Sequence, residues 1–198
     1  MTDQASVDLY WLPLGAGGHS VRLNGRVYEF VAARYERRRA HDLYHSALIV
    51  RVDDSYVVEQ APVRDGNGRL RGVVLEGPVV SSRAARWRVF RYELRCWRGG
   101  VIPDVDEAIE SPVRLTTDPL VAHRILELAP AVPPLTWGRD ESDAGEMWNS
   151  NSVISWLLVR SGVDVSSVRP PAGGRAPGWD AGVALAHASR CAGNQSRP

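Results

Sequence analysis

The chain has 198 residues and a mass of 21.8 kDa, with 44% hydrophobic and 24% charged residues, which suits one domain with its own core and excludes wholesale disorder. A net charge of +1 gives no global field to draw nucleic acid or an anionic membrane, and no apolar run approaches the roughly 20 residues that cross a bilayer. All 24 basic residues are arginine, which, with abundant Ala, Gly and Val, reads as the codon usage of a GC-rich genome rather than selection for bidentate anion contacts.

In chain order, residues 1–7 carry Asp3 and neither a basic nor an apolar leader region, so no signal peptide is expected. Residues 8–14 read as a strand closed by Gly15, Gly17 and Gly18. The Gly15-Ala16-Gly17-Gly18 run lacks the lysine and the spacing of a phosphate loop and reads as a turn. Asn24-Gly25 marks another turn. Val27, Phe30, Val31 and Arg34 follow at helical spacing, with Arg37, Arg38 and Arg39 as a solvated, cationic helix end. Residues 43–52 and 55–61 are β-rich runs joined at Asp53-Asp54, a hairpin. A polar loop over 62–72 leads to a short strand at 73–80. Residues 87–97 alternate, with Phe90, Tyr92, Leu94 and Cys96 on one face.

The second half turns helical. Residues 103–110 are an acidic turn or short helix. Asp118-Pro119 predicts an N-cap and first helical position for a helix reaching about Ala129 before Pro130. A loop over 133–145 precedes a second helix at 149–160, ended by Ser161-Gly162. The order, strands and then helices, predicts an α+β fold with an antiparallel sheet and helices on one side. Residues 1–167 form the domain, and the Pro- and Gly-rich residues 168–198 an extension draped on its surface and frayed at the end. Cys96 in a strand and Cys191 in the polar tail make no disulfide, so a reduced, cytoplasmic location is expected.

The chemistry-bearing stretch is Asn149-Ser150-Asn151-Ser152, four small polar residues before an apolar helix. One helix needs one capping residue, and here there are four. Val153, Ile154, Leu157 and Leu158 make the buried stripe, and Ser150 lies on it one turn earlier, at the positive end of the helix dipole. A nucleophile or an oxyanion would gain most there, although a simple cap accounts for the same residues. On the hairpin, His45 opens a strand and shares a face with Ala47 and Ile49. Either Glu59 or Gln60 on the return strand would lie near it and fix its tautomer, Glu59 being favoured because a carboxylate also stabilises imidazolium.

A histidine on a strand, a polar residue on the neighbouring strand and a later Asn-Ser at a helix start resemble the circularly permuted papain-like superfamily. That group takes in the NlpC/P60 peptidases, the lecithin retinol acyltransferases and the PPPDE peptidases. The chain also resembles an uncharacterised actinobacterial family through its Trp-Asn-Ser-Asn-Ser segment. The resemblance spans residues 43–162 and implies a papain-like fold, with Ser150 at the nucleophile position, preceded by Asn149, His45 as base, and Glu59 or Gln60 as orienting residue. The sequence departs from the family at the nucleophile itself. A thiol titrates near 8.5 and is easily activated, whereas a serine needs a general base in contact.

Two functions follow. One is a hydrolase or acyltransferase acting on an amide or ester through an acyl-Ser150. The other is a catalytically inactive protein using the same cleft to bind a peptide or acyl ligand. No cofactor and no metal are expected, since His41 and His45 on a strand do not converge. Arg83, Arg86, Arg88, Arg91, Arg95 and Arg98 form a basic stripe read as a solvated sheet face rather than a binder of nucleic acid or phospholipid.

Overall fold

A computed structural model of the chain describes residues 4–14, 42–63 and 72–194. The glycine turn at 15–18, the Asn24-Gly25 turn, the helix read at 27–34 with Arg37 to Arg39, His41 and the loop residues 64–71 lie outside the described residues, as does the side chain of Cys191.

Among the described residues, strands β1 (Ser6–Pro13), β2 (Asp42–Val52), β3 (Asp54–Pro62), β4 (Val73–Pro78), β5 (Arg91–Arg98) and β6 (Val113–Thr116) form an antiparallel sheet in the order β4-β5-β3-β2-β1-β6. A two-residue strand, β7 (Gly174–Arg175), runs parallel to the start of β2. The helices among the described residues are α1 (Pro119–Leu128), α2 (Ser150–Ser161) and α3 (Trp179–Asn194). The fold is α+β.

Local chemistry sets the joints. Asp53 alone turns β2 into β3, with Val52 paired to Asp54 and Asp53 at φ 53°, a left-handed conformation that Asp tolerates better than most side chains. Asp118 caps α1 by accepting from the Leu120 amide at 2.8 Å, and Pro119 sits at the first helical position, where its missing N–H costs nothing. Gly162, at φ 99°, ends α2 with its amide donating back to the last turn.

Alternation sorts the sheet into two faces. Val7, Leu9, Trp11, Tyr44, Leu48, Val50, Val58 and Leu94 meet Ala122 and Ile125 of α1, Ile154, Leu157 and Leu158 of α2, and Ala186 of α3 in the main core. These three helices of the described residues therefore lie on one face. Each fully buried leucine or isoleucine contributes about 1.5–3 kcal/mol of transfer free energy. The opposite face carries a smaller cluster of Tyr10, Leu12, Ala47 and Val57, covered by Ile102, Val105 and Ala108. Asp8, buried on that face, receives Arg51 and Arg114 and so ties β2 and β6 to β1.

Two segments differ from the sequence reading, and a third resolves its two alternatives. The strand over 87–97 begins only at Arg91, and residues 84–86 and 88–90 are single 3-10 turns. The acidic stretch at 103–110, read as a turn or a short helix, holds one such turn, Val105–Glu107. The stretch read as a surface drape contains α3, whose Ala181 and Ala186 are wholly buried and which packs along α2.

Candidate functional site at the start of the central helix

Helix α2 is buried on nearly every side, so the polar residues at its start must find protein partners. Asn149 is the N-cap. Its side chain accepts from the amides of Asn151 (2.8 Å) and Ser152 (3.4 Å), while the Ser152 hydroxyl accepts from the Asn149 amide (3.1 Å), a reciprocal capping box. The Asn149 side chain also donates to the Pro177 carbonyl at 2.8 Å. Asn151 accepts from the Ser46 hydroxyl (2.9 Å) and donates to the carbonyls of Tyr44 and Pro177 (2.9 Å each). Ser152 donates toward the carbonyls of Gly178 (2.7 Å) and Met147 (3.2 Å).

Three of the four polar residues are thus consumed in holding β2 and the turn at 177–178 against the helix. Ser150, the first helical residue, is buried, and its hydroxyl makes no hydrogen bond among the described residues. It is the one member of the quartet left for other work.

The strand residue that reaches α2 is Ser46. Tyr44 belongs to the main core and Ser46 bonds Asn151, so both point to the helical face. His45, between them, points to the other face, alongside Leu12 and Ala47. The helix start meets β2 at residues 44 and 46, through the Tyr44 carbonyl and the Ser46 hydroxyl, on either side of His45. Burial pushes the His45 imidazole down to about 4, with the carboxylate of Asp104 pulling the other way. This histidine is neutral at pH 7.

Glu59 and Gln60 part in the same manner. Glu59 faces away from the helices and receives Arg95 at 2.7 Å, in a buried cluster that Glu93 shares at 2.6 Å. Gln60 pairs in register with Leu94 and alternates with Glu59, which puts it on the helical face. Continuing the β2–β3 register from Leu48 and Val58 sets Gln60 across from Ser46. Both its amide oxygen and its amide nitrogen are buried without a hydrogen-bond partner among the described residues. A buried unpaired amide costs about 1–3 kcal/mol per group, so Gln60 is a local expense at the helix start.

Sequence reasoning gave no sign of Glu146. Its carboxylate accepts from the Gly178 amide at 2.8 Å just before α3, and burial raises its pKa. Its three-dimensional partner lies 32 positions away, and no spacing rule links the two. Cys96 is an inert thiol, pushed up to about 11 by burial. Among the described residues, no group of three or more His, Cys, Asp or Glu side chains is placed to hold a metal ion, and no helix is long and apolar enough to cross a membrane.

The arginine stripe does not survive as a sheet face. Arg95 is buried with Glu59 and Glu93, Arg98 pairs with Asp54 at 2.5 Å, and Arg91 pairs with Glu76 at 3.3 Å. Arg83, Arg86 and Arg88 lie outside the sheet, in the β4–β5 connection.

Comparison with protein-family models, with curated proteins and with solved structures returned no match.

Proposed function

We propose that the chain is a papain-like protein in circularly permuted order that binds a peptide or acyl-amide ligand at the start of α2 and does not cleave it. The observation that carries this reading is the pleat of β2, which gives Ser46 rather than its neighbour His45 the hydrogen bond to Asn151 at the helix start. A serine hydroxyl is activated by a base in contact with it, and a helix dipole worth at most ~2 kcal/mol cannot replace that base. What the helical face offers instead is hydrogen-bonding capacity. The Gln60 amide has a donor and an acceptor unused, and a ligand amide would complement both at once.

The unengaged hydroxyl of Ser150 favours the rival reading, an acyl-serine hydrolase or acyltransferase. One experiment separates the two. A fluorophosphonate probe should label the wild type no faster than Ser150→Ala, and labelling that disappears in the variant would make the protein a serine enzyme. For the binding arm, thermal shift with a set of N-acylated dipeptide amides should give a stabilisation that Gln60→Leu removes. A shift of equal size in that variant would place the ligand elsewhere.

A further inference from the structure

The connection between β4 and β5, at one end of the sheet, combines arginines with apolar side chains and carries no acid. From Gly77 to Tyr92 there is no Asp or Glu, while Arg83, Arg86 and Arg88 fall within six positions. All three arginines are exposed, and none has a carboxylate partner among the described residues. Glu76, on the adjoining strand, is already matched by Arg91. Interleaved with the arginines are large apolar side chains left in solvent: Val80 is 60% exposed, Trp87 52%, Val89 76% and Phe90 38%. Exposed apolar residues are ordinary when scattered, but a cluster of four in one loop asks for a partner.

The loop is built to hold them there. Val79 donates to the Phe90 carbonyl at 2.8 Å and closes its neck, and Val80 and Trp137 anchor the root through the pairs Val80 amide to Trp137 carbonyl (2.9 Å) and Trp137 amide to Pro78 carbonyl (2.9 Å). Ser81 accepts the amides of Ala84 and Ala85, and the Arg91 guanidinium donates to the Ala85 carbonyl. The Trp87 and Phe90 rings stand 6.3 Å apart, and the Arg86 guanidinium lies 3.9 Å over the Trp87 ring. A guanidinium stacked on an indole is partly shed of water and already oriented.

We propose that residues 79–90 are an interfacial anchor that docks the protein onto a bilayer containing anionic lipid. The charge is complementary to such a surface and to little else on this nearly neutral chain. Tryptophan and phenylalanine settle at the headgroup boundary, and arginines beside them reach the phosphates. The two exposed valines decide between a bilayer and a nucleic acid. Aromatic rings stack on bases, whereas a valine gains nothing from a phosphate backbone and gains by entering the acyl boundary. The inference is independent of the reading given to the start of α2.

Sedimentation of the full chain with vesicles tests it. At about 50 mM salt the protein should bind phosphatidylcholine vesicles carrying about 30% phosphatidylserine and should bind pure phosphatidylcholine at least ~10-fold more weakly. The triple variant Arg83→Ala, Arg86→Ala, Arg88→Ala should lose at least ~10-fold in partitioning, since each arginine near such a surface is worth roughly five-fold. Val89→Ser, at the most exposed of these sites, should weaken vesicle binding without moving the thermal midpoint. The proposal is overturned if the wild type does not sediment with anionic vesicles, or if both variants bind as the wild type does. It is equally overturned if single-stranded DNA binds more tightly than the vesicles and Val89→Ser leaves that binding unchanged.

Discussion

Adjacent side chains at the start of α2 carry unequal burdens. Asn151 satisfies the Ser46 hydroxyl and the carbonyls of Tyr44 and Pro177 from a buried position. Removing it takes one partner from each of these groups, Pro177 keeping only its bond from Asn149, and Asn151→Ala should cost about 2–4 kcal/mol. Ser150→Ala deletes a hydroxyl that bonds nothing among the described residues and should stay within about 0.5 kcal/mol. Chemical denaturation of the pair measures the contrast, and equal losses would show that Ser150 carries hidden structure. His45 sets a pH dependence. Its folded pKa of about 4 lies below the unfolded value near 6.5, so the unfolded chain takes up the proton first. Stability is therefore complete above about pH 6.5 and is lost as the pH falls toward 4, by an amount on the order of 3 kcal/mol, and His45→Phe should flatten that slope in denaturation measured across pH 4 to about 7. The polar quartet, the hairpin histidine and both candidate orienting residues were all legible in the sequence. Their grouping was not, because a strand sends neighbours to opposite faces and only the partner of Ser46, 105 positions away, reveals which face meets the helix.

Elements were legible wherever their ends carried local chemistry. The hairpin at Asp53, α1 behind Asp118-Pro119, and α2 closed by Gly162 each announce themselves within a few residues. Helix α3 does not, because Gly178 and Gly182 resemble breakers while serving as contact points. A Cβ on Gly182 would stand 2.0 Å from the Ser152 carbonyl oxygen and 2.2 Å from the Ser155 hydroxyl. The helices approach so closely there that only hydrogen fits. Elsewhere in a helix, Gly→Ala gains about 1 kcal/mol. In Gly182→Ala, overpacking against backbone wins, with an expected net loss of about 1–3 kcal/mol. A calorimetric midpoint lowered by several degrees agrees with this, and a raised midpoint contradicts it. The 3-10 turns over 84–90 escaped notice for the opposite reason. Alternating arginines and apolar residues satisfy a strand template, yet neither side of that segment is covered.

The molecule as a whole is organised around a sheet whose ends differ. At the β4 end the connection to β5 holds the exposed arginines and aromatic rings. Helices α1 and α2 are gathered over the middle, against β1, β2 and β3. The other end is where chain order and spatial order diverge. Strand β1 lies between β2 and β6, and its Asp8 is joined to Arg114, 106 positions further along. Sewing in the first strand therefore waits on residues made more than a hundred peptide bonds later. Until the ribosome has released them, one flank of β1 presents open amides and carbonyls, and closing so large a loop makes assembly slow. A nascent chain of this design is most exposed to mispairing during synthesis, when an early strand is ready and its second neighbour does not yet exist.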